Sequence, residues 1–399
     1  MSDTPTIFVA FGVTGDLMRL KILPALFSLY IKDELPERFA LLGVSRREQS
    51  NADLRAHVEV ALLEHSVFDG KVLEASDPKL ASFLQSIFGI RGDAEDESLY
   101  STLADTFDAL EHTWGDVADK IVYLSISPKL YRTTFEHLRH ASFTQNTKRV
   151  RLMIEKPFGT SGKSSEKLQT ILQNTFEERA IYRVDHFLAK EALASLPQVD
   201  GTLVSSIKIT FFETGGVEKR GSFYDATGAL LDIGQNHMLE ILARLTMEHS
   251  RAEAIEALRT FSQDEVALQT CRSQADLYLQ VAGVAVDSPI ETYFKITTTL
   301  ESTRFNDVTV TLEGGKYMDE NKKEVTVTFK DGRVLHHLIS ENKNRSEYET
   351  LIHDCIHGNQ TLFVSKRENA ALWRFVDPIL ESWHRGSPSL GQYKVGTRP

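Results

Sequence analysis

The sequence predicts a doubly wound α/β domain followed by a larger α+β domain with a mainly antiparallel sheet. Three observations carry this. Over the first 180 or so residues, short apolar runs alternate with helical patterns, as in a parallel sheet crossed over by helices. The first of these runs passes directly into a glycine turn and a helical pattern. From about residue 205, strand-like runs follow one another without regular crossover helices, which favours antiparallel pairing.

The strand-like runs of the first part are Thr6–Phe11, 39–44, 121–126 and 150–154, and those of the second part are 206–212, 292–300, 307–313 and 324–329. Helical stretches in the second part lie around His237 and Ala371. At 399 residues the chain exceeds a single domain of roughly 150 residues, and a division into 1–182 and 183–399 is expected. A content of 41% hydrophobic and 25% charged residues is that of a globular protein with a packed core.

A formal charge of -11 and the lack of a dense Lys/Arg run argue against nucleic-acid binding. An anionic substrate would need a locally basic pocket. The opening Met-Ser-Asp-Thr-Pro has no basic stretch followed by an apolar run, and no run approaches the roughly 18 apolar residues of a membrane span. A cytoplasmic protein with no membrane association is expected. Cys271 and Cys355 stand alone, without a Cys/His cluster of zinc-ligand spacing, so packing roles and no metal are expected.

Candidate ligand residues cluster where strands end. After 6–11 comes Gly12-Val13-Thr14-Gly15-Asp16-Leu17-Met18, a strand–turn–helix that would bring backbone N–H groups and a helix N-terminus to a pyrophosphate, or serve as a simple turn. After 39–44 come Arg46 and Arg47, where an NAD-binding domain usually places an acid for the ribose hydroxyls. A guanidinium there suits the 2′-phosphate of NADP⁺; a solvated pair of arginines is the alternative. After 150–154 come Glu155-Lys156-Pro157, with Lys156 beyond a strand's carboxyl end, where α/β sheets bind ligands.

The segment 182–191 gathers Asp185, His186 and Lys190 near the expected domain junction, a frequent ligand site, although an Asp-His pair also occurs in capping and surface arrangements. His237 opens an apolar helical pattern through Leu239 and Leu242, where a histidine can equally be a satisfied core residue.

Taken together these motifs resemble the glucose-6-phosphate dehydrogenase family over nearly the whole chain. The glycine fingerprint is Gly12 to Met18 with Lys21 and Pro24, the E-K-P-F-G motif is 155–159, the signature R-I-D-H-Y-L-G-K-E is 183–191, and D-x-x-Q-N-H is 232–237. The resemblance implies a Rossmann-type domain, NADP as cofactor, a sugar phosphate as substrate and a homodimer built on the second sheet. It implies His237 as the general base and Asp185 as its carboxylate partner. It assigns Lys156, His186, Lys190, Glu213, Asp232 and Lys316 to substrate, and Gly12, Thr14, Gly15, Asp16, Leu17, Arg46, Tyr131 and Lys156 to cofactor.

Departures from the family pattern are Phe187 for the signature tyrosine, which removes a hydroxyl, Ala189 for a glycine, Met18 for a small residue, and Asn321 where a basic residue is common. The stretch 192–204 is short. Two other readings compete: a related sugar dehydrogenase of different substrate, since Glu-Lys-Pro at a strand end is widespread, and a catalytically silent NADP-binding sensor.

Overall fold

The computed structural model describes residues 4–47, 50–68 and 70–399. Its contacts divide the chain into two compact units, Met1–Gly159 with Lys163–Ala189 and Lys343–Ser365, and Thr160–Gly162 with Lys190–Asn342 and Lys366–Pro399. The single break expected after residue 182 is therefore a discontinuous one, with 343–365 rejoining the first unit.

The first unit is built on a seven-stranded sheet. Its strands are β1 (Thr6–Phe11), β2 (Phe39–Ser45), β3 (Ile87–Arg91), β4 (Asp119–Leu124), β5 (Val150–Ile154) and β6 (Ile181–Val184). They lie in the order β6-β5-β4-β1-β2-β3, all parallel, and a short edge strand Phe363–Val364 pairs antiparallel with β6. Every residue of β1 is buried, because helices cover both faces. Phe8 and Ala10 pack into one apolar cluster, with Leu26 and Leu351; Ile7, Val9 and Phe11 pack into the other, with Leu103 and Phe135. The alternation of side chains along a strand produces this split.

Register fixes where the loops emerge. Val44, Phe11, Leu124, Ile154 and Arg183 pair in one row across β2, β1, β4, β5 and β6. Parallel strands ending in one row discharge their loops at one edge. The segments that begin at Gly12, Ser45, Ser125 and Glu155 are brought together there although the sequence spreads them widely.

The second unit carries another seven-stranded sheet. Its strands are β7 (Val204–Phe212), β8 (Thr270–Ala275), β9 (Tyr293–Thr299), β10 (Thr309–Gly315), β11 (Lys322–Phe329), β12 (Val334–Leu338) and β13 (Gly391–Tyr393). In the order β12-β11-β7-β10-β9-β8-β13, the pairs β7–β10 and β8–β13 are parallel and the other pairs antiparallel. This is the mainly antiparallel α+β arrangement expected. The strand β8, TCRSQA, has no apolar run and no signal in the sequence.

Of the two cysteines, Cys355 is buried as expected, whereas Cys271 on β8 is exposed and has no packing role. Among the described residues no helix is long and apolar enough to cross a membrane.

Candidate active site

In the first unit, the turn after β1 is shaped by Gly12, at φ +77°, where an added Cβ would meet the Ser125 carbonyl oxygen at 2.4 Å. Only glycine lets the chain pass this close to the end of β4. The Gly15 N–H donates to the Gly12 carbonyl at 2.9 Å, and the Arg19 N–H to Gly15 at 3.0 Å, so turn and helix are continuous. Thr14 and Asp16 are exposed, Leu17 half-buried against the core, and Arg46 exposed just beyond β2. A helix N-terminus behind a glycine turn, with a guanidinium beside the next strand end, fits a dinucleotide bearing a 2′-phosphate.

Beyond β5 the backbone is held from behind. The Tyr131 hydroxyl donates to the Glu155 carbonyl at 2.9 Å, and Tyr123 donates to Glu155 Oε1 at 2.7 Å. Tyr348 reaches the same oxygen at 3.3 Å. Lys156, half-buried, follows this braced residue through a cis bond to Pro157. Tyr131 is fully buried and its hydroxyl bonds the Glu155 carbonyl, so it supports the strand end.

Burial pushes the Glu155 carboxyl up to about 7, although hydrogen bonds from Tyr123 and Tyr348 favour its charged form. Tyr348 stands at the start of the helix Glu347–His357, which Ser346 and Glu349 cap reciprocally. Lys32, at the end of the helix Leu23–Ile31, binds Glu349 Oε2 at 2.8 Å and anchors that helix start. The Tyr348 ring stacks on His186, centroids 6.0 Å apart and planes 14° from parallel.

Asp185 follows β6 and accepts the Phe187 N–H at 3.0 Å. Both Asp185 and Phe187 are buried.

In the second unit, β7 and β10 end side by side, Phe212 opposite Gly315, and deliver Glu213 and Lys316 next to each other. Lys316 Nζ lies 2.6 Å from Glu213 Oε2 and 3.9 Å from Asp232 Oδ2. Lys323 approaches Glu213 Oε1 at 3.3 Å, and Arg220 approaches Asp232 Oδ1 at 3.6 Å. Burial alone would raise the Glu213 carboxyl; the Lys316 and Lys323 ammoniums outweigh it and hold the group below the usual carboxylate range. Glu213 and Lys316, with Arg220 and Asn321, line an open cavity of about 570 Å³. Asn321, in place of a basic residue, accepts the Thr214 N–H at 2.9 Å.

Asp232 and His237 belong to one π-helical run, Leu230–Met238, a helix type frequent at functional sites. Asn236 ties the run together, donating to the Leu231 carbonyl at 2.9 Å and accepting the His237 N–H at 2.7 Å. Glu291 accepts the Leu230 N–H at 3.0 Å and braces the start of the run.

The structure thus groups Glu213, Asp232 and Lys316, with Glu213 and Lys316 lining the cavity. Of the supporting residues, Glu155 lies in a motif, while Arg220, Glu291 and Lys323 lie outside the motifs.

Comparison with known proteins finds matches over nearly the whole chain. The profile of the glucose-6-phosphate dehydrogenase NAD-binding domain matches residues 9–194, and that of the C-terminal domain matches 196–345 and 333–399. Glucose-6-phosphate 1-dehydrogenase of Chlamydia pneumoniae is 27% identical, over 98% of this chain and 92% of its own length. That alignment runs to 480 positions, so the shorter chain here lacks segments its relative has. The crystal structure of glucose-6-phosphate 1-dehydrogenase from Mycobacterium avium matches with TM-score 0.82 and 26% identity, over 99% of this chain and 95% of that one. A glucose-6-phosphate dehydrogenase in complex with its substrate glucose 6-phosphate matches in fold with TM-score 0.86 at 23% identity, over 100% of this chain and 96% of that one.

Proposed function

The chain belongs to the glucose-6-phosphate dehydrogenase family, and we propose that it oxidises C1 of glucose 6-phosphate to 6-phosphogluconolactone. NADP⁺, when bound, supplies the acceptor for the hydride from C1. One observation carries the reading: two carboxylates, Glu213 and Asp232, share the Lys316 ammonium at a cavity wide enough for a sugar. Carboxylates accept hydrogen bonds from sugar hydroxyls, and the Lys316 and Lys323 ammoniums favour the charged form of Glu213 for that task.

In this proposal His237 takes the C1 hydroxyl proton on its imidazole as the C1–H bond breaks, and Asp185 is the carboxylate that stabilises the resulting imidazolium. His186 and Lys190 hold the phosphate, Glu213 and Asp232 accept from the hydroxyls, and Lys156 and Lys316 line the substrate. The turn Gly12 to Leu17 and Arg46 hold the dinucleotide. A homodimer acting in the cytoplasm belongs to the same proposal and rests on the family resemblance; light scattering in solution tests the dimer.

Glucose 6-phosphate and NADP⁺ added to the protein should give NADPH absorbance, with much less from free glucose. Equal kcat/KM for the two sugars would remove the phosphate from the proposal. No NADPH from either would remove the reaction.

A further inference from the structure

Lys190, assigned above to the sugar phosphate, has an acidic neighbour. Its Nζ lies 2.8 Å from Glu341 Oε2. The two partners are unlike in setting: the Lys190 side chain is 2% exposed and that of Glu341 is 76% exposed. Glu341 belongs to the stretch that follows β12, and that stretch is laid along Lys190 by its neighbours. His337 Nε2 lies 2.7 Å from the Ala192 carbonyl oxygen, and Asn342 Oδ1 accepts the Glu191 N–H at 2.8 Å. The Ile339 N–H donates to the Lys323 carbonyl at 2.8 Å. Ile339, Ser340 and Glu341 line the same cavity as Glu213, Lys316 and Lys323.

We propose that Glu341 is a specificity-determining residue for the sugar phosphate: its carboxylate stands on the Lys190 ammonium where the phosphate will bind, and gives way to it. The inference rests on the assignment of Lys190 to phosphate. A buried ammonium needs an anionic partner, and a carboxylate largely in water can leave at little cost because its hydration is mostly retained. A phosphate dianion offers more charge and more acceptor oxygens than the carboxylate and displaces it. A neutral sugar hydroxyl does not. Glu341 therefore discriminates by competition, raising the threshold that any ligand must pass to reach Lys190.

The test compares Glu341→Gln, Lys190→Ala and the double variant. Glu341→Gln should lower KM for glucose 6-phosphate about 1.5- to 5-fold, the range of a mostly exposed ion pair, with kcat and the KM for NADP⁺ held. Inorganic phosphate, titrated calorimetrically into the protein without NADP⁺, should bind more tightly by a similar factor. Lys190→Ala should raise KM for glucose 6-phosphate, and in that background Glu341→Gln should have no further effect. An unchanged or raised KM in Glu341→Gln, with Lys190→Ala still impaired, overturns the competition alone. Unaltered KM and phosphate binding in Lys190→Ala overturns the phosphate assignment and the competition with it.

Discussion

The Tyr123 hydroxyl donates to Glu155 Oε1 at 2.7 Å inside the first unit, at a carboxyl that burial has pushed up to about 7. In the unfolded chain this carboxyl titrates near its ordinary 4.5. Between those values the folded state binds the proton that the unfolded state has released, so stability falls as pH rises from about 4.5 to about 7 and then levels. Glu155→Gln keeps the acceptor for Tyr123 and removes the titration. Urea unfolding at pH 5 and pH 8 should therefore show the wild type losing on the order of 3 kcal/mol more than the variant. Glu291, also pushed up to about 7 by burial, is common to both proteins and cancels in the comparison. Parallel stability curves would mean that Glu155 titrates normally.

His237→Asn should lower kcat roughly 10²- to 10⁴-fold, the range of general-base contributions, and leave NADP⁺ affinity near wild type. Steady-state kinetics together with a cofactor titration measures both. More than about a tenth of wild-type kcat in the variant would take His237 out of the reaction.

Arg46 lies exposed beyond β2, which pairs with β1 up to the glycine turn. A charge-assisted bond to the 2′-phosphate is worth roughly 1.5–3 kcal/mol, about one to two decades of preference for NADP⁺ over NAD⁺. Arg46→Ala should shrink that ratio, mainly by weakening NADP⁺. Equal kcat/KM for the two cofactors in the wild type removes this role.

Gly228 has φ +69°, and an added Cβ would stand 2.4 Å from Glu291 Oε1, the atom that receives the Leu230 N–H. Gly228→Ala should cost about 1–3 kcal/mol in chemical denaturation, through backbone strain and displacement of Glu291. Because Glu291 braces the run that carries Asp232 and His237, kcat should fall as well. Wild-type stability in the variant would show that the brace yields freely.

The legible part of this protein is local. β1 reads as a buried strand because its residues are apolar without interruption, and Gly12 reads as a turn because the strand stops there. The acids and bases of 183–191 and 232–237 stand in short ordered motifs, so their resemblance to the family is visible without coordinates. Tyr131 shows the limit: only the family resemblance singles it out, while its burial and its hydrogen bond to Glu155 depend on packing that no local pattern encodes.

What the sequence by itself determined was the strongly apolar strands, such as β1, β2, β4 and β5, and the residue types at their ends, since these follow from nearest-neighbour sterics and apolar periodicity. Only the tertiary structure decided which groups meet. Tyr348 reaches Glu155 across 193 residues and Glu341 reaches Lys190 across 151. No local pattern encodes such pairings, because they depend on where separate strands and helices pack. The raised Glu155 carboxyl has the same origin, for burial is a property of the assembled core and not of the residue.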